Sequence, residues 1–202
     1  MKKYAVLHEP GDIVTLAGTR FVVLDVERRG SLPDSLFLLA LESVGASEFG
    51  SSNNCAESDL KKAVDKWLED MDKKGLDNAK LIPREIDLTT LDGSGRYGKL
   101  SVKAAPLTLD EARKYADIIP NAERWCWLAT GWSGPSKSDG DLALYVGSSG
   151  DWNYYCSYSY GIRPALKAPS ILFEDSEESL DLSKIPTDDL LQEIHRRLAE
   201  KA

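Results

Sequence analysis

Two histidines, three cysteines and 33 acidic residues are the first groups to consider for proton transfer, covalent attack or metal binding in this 202-residue chain. Their spacing favours none of these. His8 stands just ahead of Glu9 and Pro10, and His195 lies in the C-terminal segment, neither beside a nucleophile. Cys55, Cys126 and Cys156 lack any Cys-x-x-Cys spacing, and the histidines do not complete a zinc set. An odd cysteine count points to reduced thiols, and Cys126, between Trp125 and Trp127, reads as a small buried apolar residue. Gly-x-Ser-x-Gly, a phosphate loop ending in Lys-Ser/Thr, and His-Glu-x-x-His are all missing. The run from Asp92 to Gly95 is too short to cradle a nucleotide and lacks an EF-hand's ligand pattern and closing Glu, so it reads as a structural turn. No catalytic residue, no metal site and no cofactor is therefore expected in this chain.

Contact chemistry is another matter. Between Trp125 and Leu166 fall five of the eight tyrosines, Tyr145, Tyr154, Tyr155, Tyr158 and Tyr160, and four of the five tryptophans, Trp125, Trp127, Trp132 and Trp152. Tyr, Ser, Asn and Gly together make the composition of a paratope: rigid amphipathic rings give contact area at low entropic cost, and small polar residues give adaptable hydrogen bonds. The same alternation of Tyr and Ser also suits a half-buried strand, so binding surface and ordinary strand both stand at this point. As a surface, the contact residues are Trp132 at the rim with Ser149, Asp151, Trp152, Asn153, Tyr154, Tyr155, Ser157, Tyr158 and Ser159, while Ile162, Arg163, Pro164 and Leu166 form framework.

The elements that must position these residues follow from periodicity. Ile13 to Leu16, a turn at residues 17–19 and Arg20 to Val26 read as a hairpin, residues 28–31 as a loop, and Leu36 to Leu41 as a third strand. Ser58 caps a helix to about Met71, with Leu60, Val64, Trp67, Leu68 and Met71 on its apolar face and Trp67 in the core. Thr108 and Glu111 make a capping box for a second helix, which Pro120 stops. Residues 87–98, punctuated by glycine, read as a long ordered loop. Trp125 to Ala129 and Leu142 to Val146 read as strands, residues 131–140 as a loop, residues 147–150 as a turn, and residues 152–160 as strand or loop. Pro164 places the closing segment, residues 162–167, at a sheet edge or a strand end.

The organisation is one body over residues 1–168, an acidic linker over 169–185 and an amphipathic C-terminal helix over 186–202. That helix carries Leu190, Leu191, Ile194 and Leu198 on one stripe, which docks on the body or on another chain and so offers a route to oligomers or to a larger assembly. The fold class is α+β. Hydrophobic residues at 42% and charged residues at 29% are ordinary for a globular domain, and no apolar run is long enough to span a membrane. A net charge of -8, concentrated in a tail with nine Asp/Glu against four Lys/Arg from Glu174 to Ala202, argues against a nucleic-acid partner. The N-terminus lacks a secretory signal, which points to a cytoplasmic or virion-associated protein.

Several stretches carry a family resemblance: the N-terminal Gly11-Asp-Ile-Val14 and its hairpin, a helix with Trp67-Leu68, Leu88 to Gly93, the aromatic strand Trp125 to Ala129, and Tyr160 to Leu166. Over about residues 10–168 the chain resembles C-type-lectin-fold domains of gut bacteria and their phages. Its closing motif is similar to that of the formylglycine-generating enzyme superfamily and of variable proteins diversified by retroelements. The resemblance implies a C-type-lectin-like fold with antiparallel sheets and two helices, plus the C-terminal tail helix, whose C-terminal loops and strands present a ligand surface. The formylglycine-generating enzymes need a pair of nearby cysteines to hold copper, and Cys55, Cys126 and Cys156 do not reproduce that spacing. Calcium-dependent lectins use Glu-Pro-Asn and Trp-Asn-Asp motifs, and here Asp151-Trp152-Asn153 has the order changed.

In the retroelement-diversified proteins, adenine-directed mutagenesis turns asparagine codons into codons for Tyr, Ser, Asp, Cys and Gly. Residues 153–160 are asparagine or members of that set, although undiversified members of the family are rich in Tyr and Ser here as well. The resulting expectation is a non-enzymatic domain binding a protein or surface ligand through a variable surface, as the target protein of a diversity-generating retroelement. The alternatives are a formylglycine-generating-type enzyme that has lost its cysteine pair, and a purely structural phage or bacterial module.

Overall fold

The computed structural model describes residues 8–29, 32–135, 140–147, 153–173 and 187. Most of the C-terminal segment assigned to the linker and helix, together with Ser149, Asp151 and Trp152, lies outside the described residues.

A tight turn at residues 17 and 18 joins β1 (Ile13–Leu16) to β2 (Thr19–Arg29), and β2 pairs in turn with β3 (Leu32–Ala40). Both strands of this second hairpin run further than the sequence predicts. Arg28 and Arg29, expected in a loop, pair with Pro33 and Leu32. The last strand among the described residues, β12 (Ala165–Pro169), lies against β3 and is followed by β7 (Ala104–Ala105), so one sheet has the order β1-β2-β3-β12-β7. Pro164 therefore stands at a strand end and not at a sheet edge.

The second sheet has the order β10-β9-β8-β11-β4: β10 (Asn153–Tyr155), β9 (Leu142–Val146), β8 (Cys126–Gly131), β11 (Ser159–Gly161) and β4 (Ala46–Glu48). Its pairings are antiparallel except for β8 with β11, which meet in parallel at Cys126 and Gly161. A separate ribbon, β5 (Arg84–Asp87) with β6 (Lys99–Val102), brackets the glycine-punctuated loop. Among the described residues the architecture is thus α+β, mostly antiparallel, with two α-helices.

Helix α1 (Asp59–Lys73) starts where Ser58 accepts from the Lys61 N–H at 2.9 Å. Helix α2 (Leu109–Lys114) has the predicted capping box but runs only six residues before turns take the chain to Pro120. The helices cover two different faces, and β2 divides its side chains between them. Phe21 and Val23 join Leu60, Val64 and Met71 of α1 in the larger core cluster, while Val22 and Leu24 join Leu109 of α2 in the smaller one. β8 does the same, with Trp127 and Ala129 in the larger cluster and Leu128 in the smaller. A strand buried on both faces has no polar side to show, which is why β8 reads as a nearly continuous apolar run. Trp67 packs against the larger cluster while remaining partly exposed.

Candidate functional site

The tyrosine stretch is a hairpin strand, a turn and a second short strand, each pinned to something buried. β10 pairs with β9 so that Tyr154 lies opposite Ala143 and Tyr155 opposite Leu142. A turn follows, closed by the Tyr158 N–H donating to the Tyr155 carbonyl at 3.0 Å. Cys156 fixes that turn to the body. Its N–H donates to the Asp141 carbonyl at 2.7 Å, its carbonyl accepts from Phe49 at 2.8 Å and Gly50 at 3.2 Å, and its side chain is buried. β11 then carries Ser159 and Tyr160 between β4 and β8.

The rings grade from interior to solvent along one connected stack. Trp127 and Tyr145, each 1% exposed, are the two largest fully buried side chains among the described residues, and the Trp127 indole N–H donates to the Ser47 carbonyl at 2.9 Å. Tyr160 contacts both, with centroids at 4.8 Å from Trp127 and 5.0 Å from Tyr145. Tyr154 continues outward, 5.9 Å from Tyr160 and 4.5 Å from Tyr158. At the outer end Tyr154 is 37% exposed, Tyr158 49% and Tyr155 53%, with Ser157 and Ser159 also exposed. A hydrogen bond with Tyr158 holds the Tyr154 phenol above its ordinary pKa.

Five of the ten residues assigned to the surface from sequence come together here: Tyr154, Tyr155, Ser157, Tyr158 and Ser159. Asn153 lies in β10, paired with Leu144. Ser149, Asp151 and Trp152 fall outside the described residues. Trp132, expected at the rim, packs instead against the smaller core cluster with Leu128 and Leu144. The tryptophan beside the patch is Trp125, 36% exposed and stacked at 5.3 Å on Tyr145 and 5.5 Å on Tyr160. Two-residue strand periodicity was the signal for it: Trp125 precedes Trp127 by two and so shares its face, where the stack reaches the surface. Gly147 makes this possible, because a Cβ there would stand 2.0 Å from Cδ1 of Trp125.

Cys156 and Tyr160 lie within the run whose composition matches diversified codons, yet Cys156 is buried and Tyr160, partly buried, packs against the larger core cluster. A buried small thiol in a tight turn explains the cysteine physically.

The framework residues are interior as expected. A Cβ on Gly161 would meet Cys126 Sγ at 2.8 Å and Ser43 Oγ at 2.9 Å, so only glycine lets β11 approach β8. The Gly161 N–H donates to the Trp125 carbonyl at 2.8 Å, and Ile162 exchanges backbone bonds with Gly45 and Val44. Arg163, 4% exposed, donates from Nε to the Ala40 carbonyl at 2.9 Å, while the Ala40 N–H donates to the Pro164 carbonyl. Leu166 is fully buried.

All three cysteines are free and buried, and burial pushes the Cys55 and Cys126 thiols up to about 11 and Cys156 to about 12. The Asp92 carboxylate accepts from the Thr90 hydroxyl at 2.6 Å and the Ser94 N–H at 3.2 Å, closing its own turn. Among the described residues no three His, Cys, Asp or Glu side chains converge as a metal site, and no helix is long and apolar enough to cross a membrane. Compared with protein-family models, curated proteins and solved structures, the chain matches none.

Two predictions follow from this gradient and these thiols. Tyr155→Ala and Tyr158→Ala should each change unfolding free energy by no more than about 0.5 kcal/mol, whereas Tyr160→Ala should cost about 1–3 kcal/mol, as read from urea unfolding. An equal, large loss at all three positions would place the outer rings in the core. Unfolded thiols ionise near about 8.5, well below the folded values, so the stabilisation is complete below that pH and is lost as pH rises toward 11 to 12. The urea midpoint should therefore fall with pH above about 8.5, less steeply in Cys55→Ala. A midpoint independent of pH across that window would contradict the buried assignment.

Proposed function

We propose that the chain is a non-enzymatic ligand-binding domain of C-type-lectin-like fold, presenting a Tyr/Ser surface to a protein or other surface ligand. Tyr154, Tyr155, Ser157, Tyr158 and Ser159 are its contact residues, with Trp125 on its flank. The observation that carries this reading is the contrast between neighbours. Three large rings stand 37–53% exposed, while Cys156, Gly161, Ile162, Arg163 and Leu166 beside them are buried. Leaving three tyrosines in water gains nothing for folding, and Tyr and Trp are the side chains that dominate protein recognition.

The topology is compatible with a C-type-lectin-like domain: antiparallel sheets, two helices, and β12 brought back beside β3 of the opening meander. Backbone bonds at Cys156, Tyr158 and Gly161 fix the path of the chain without using the exposed side chains, which suits a surface whose residues change while its scaffold does not. On this reading the protein is a variable protein whose outward positions are targets of a diversity-generating retroelement, and residues 186–202 tether the domain to a larger assembly. Burial of all three free cysteines supports a function without thiolate chemistry.

The test is a screen of the full chain against arrayed cell-surface proteins and intact bacterial cells, repeated with Tyr154, Tyr155 and Tyr158 replaced together by alanine. A genuine ligand loses about thirtyfold in affinity or more, the loss of at least one hot spot, while the thermal midpoint holds within a few degrees. Ligands bound equally by both proteins would overturn the surface. Diversification is tested in the DNA, where a near-copy of the stretch encoding residues 145–166, differing at adenines, should lie beside a reverse transcriptase gene.

A further inference from the structure

Arg163 leaves a chemical demand unmet. Its Nε donates to Ala40 and its Nη1 to the Pro120 carbonyl at 3.2 Å, but Nη2 is sealed from solvent and meets no acceptor among the described residues. The nearby Glu42 carboxylate is engaged by Arg20. Burial lowers the Arg163 pKa, yet a guanidinium keeps its proton, so a cation with an unused donor stands in the interior. Buried charges are normally paired, and a buried donor without a partner calls for an explanation such as a ligand or an ordered water.

Arg163 also lines a groove of about 230 Å³ between α2 and the sheets. The other walls are largely apolar: Leu39, Leu107, Leu109, Ala112, Leu128 and Val146. An apolar cavity of about 150 Å³ already admits benzene, while drug-sized ligands occupy about 300–1,000 Å³, so the groove suits a small molecule. One side is closed by residues 119–122, irregular chain whose Pro120 carbonyl is held by Arg163 itself.

We propose that this groove binds a small apolar carboxylate, its hydrocarbon body against Leu39, Leu109 and Leu128 and its head on the Arg163 guanidinium. A carboxylate matches the guanidinium fork with two parallel hydrogen bonds. By taking Nη1 from the Pro120 carbonyl it also reaches Nη2, and residues 119–122 move aside to admit it. A phosphate dianion is a poorer match. The second arginine at the groove, Arg113, is largely exposed and lies 3.7 Å from Asp110, which leaves one buried positive charge for the head. This site is separate from the tyrosine surface and does not depend on it.

Isothermal titration of the full chain with octanoate, octanol and octylamine tests the site. Octanoate should bind saturably at one site, about tenfold or more tighter than octanol, the difference a charge-assisted hydrogen bond makes. Octylamine should not bind. Ala112→Trp, which fills the groove and leaves the Arg163 bonds untouched, should abolish octanoate binding with the thermal midpoint retained. Three results would overturn the proposal: octanol binding as tightly as octanoate, octanoate binding surviving Ala112→Trp, or no saturable octanoate binding, in which case a trapped water completes the guanidinium.

Discussion

The contact on which the rest depends is the packing of the Trp127 indole against Phe49, Tyr145 and Tyr160, with ring centroids at 5.5, 6.3 and 4.8 Å. It joins β8, β9 and β11 to the residue that follows β4, so most of the second sheet is tied at one ring. The indole N–H is satisfied at the Ser47 carbonyl, which lets so large a polar-tipped ring be buried without an orphaned donor. Aromatic pairs add stability beyond the area they bury, and here they also transmit order: Tyr160 is held by Trp127, and Tyr154 by Tyr160. The exposed tyrosines therefore stand on a packed aromatic base, which would lower the entropic cost of the binding proposed for them.

The closing segment supplies the second constraint. Gly161 admits β11 beside β8, Arg163 draws the Ala40 and Pro120 carbonyls together, and β12 returns to the first sheet. Arg163 thus links the two sheets and the chain after α2. The buried charge is the cost of that link, and the groove beside it is where a ligand would offset the cost.

Legibility in the sequence followed the strength of the local signal. Helix α1 and the α2 capping box were readable because Ser58 and Thr108 are caps with apolar periodicity behind them, and β9 because it is short, apolar and bounded by glycine. The ribbon of β5 and β6 was missed since Arg84–Asp87 and Lys99–Val102 are charged and partly exposed, and only their mutual pairing makes them strands. β4 and β7, three and two residues long, likewise exist through their neighbours. Within the site, composition identified the exposed tyrosines but not which members of the run turn inward. That choice is made by the turn at Cys156 and by the face of β8, which bring Trp125 to the patch and send Trp132 to the other cluster.

The central claim is that this tyrosine run is divided between an exposed surface, Tyr154, Tyr155 and Tyr158, and an inner base where partly buried Tyr160 packs on buried Tyr145 and Trp127. Chemical modification at neutral pH, with N-acetylimidazole acting on the folded full-length chain and sites mapped by mass spectrometry, measures that division directly. Tyr154, Tyr155 and Tyr158 should be acetylated readily while Tyr145 and Tyr160 stay protected until urea unfolds the protein. Protection of Tyr154, Tyr155 and Tyr158 to the same degree as Tyr145 would contradict it.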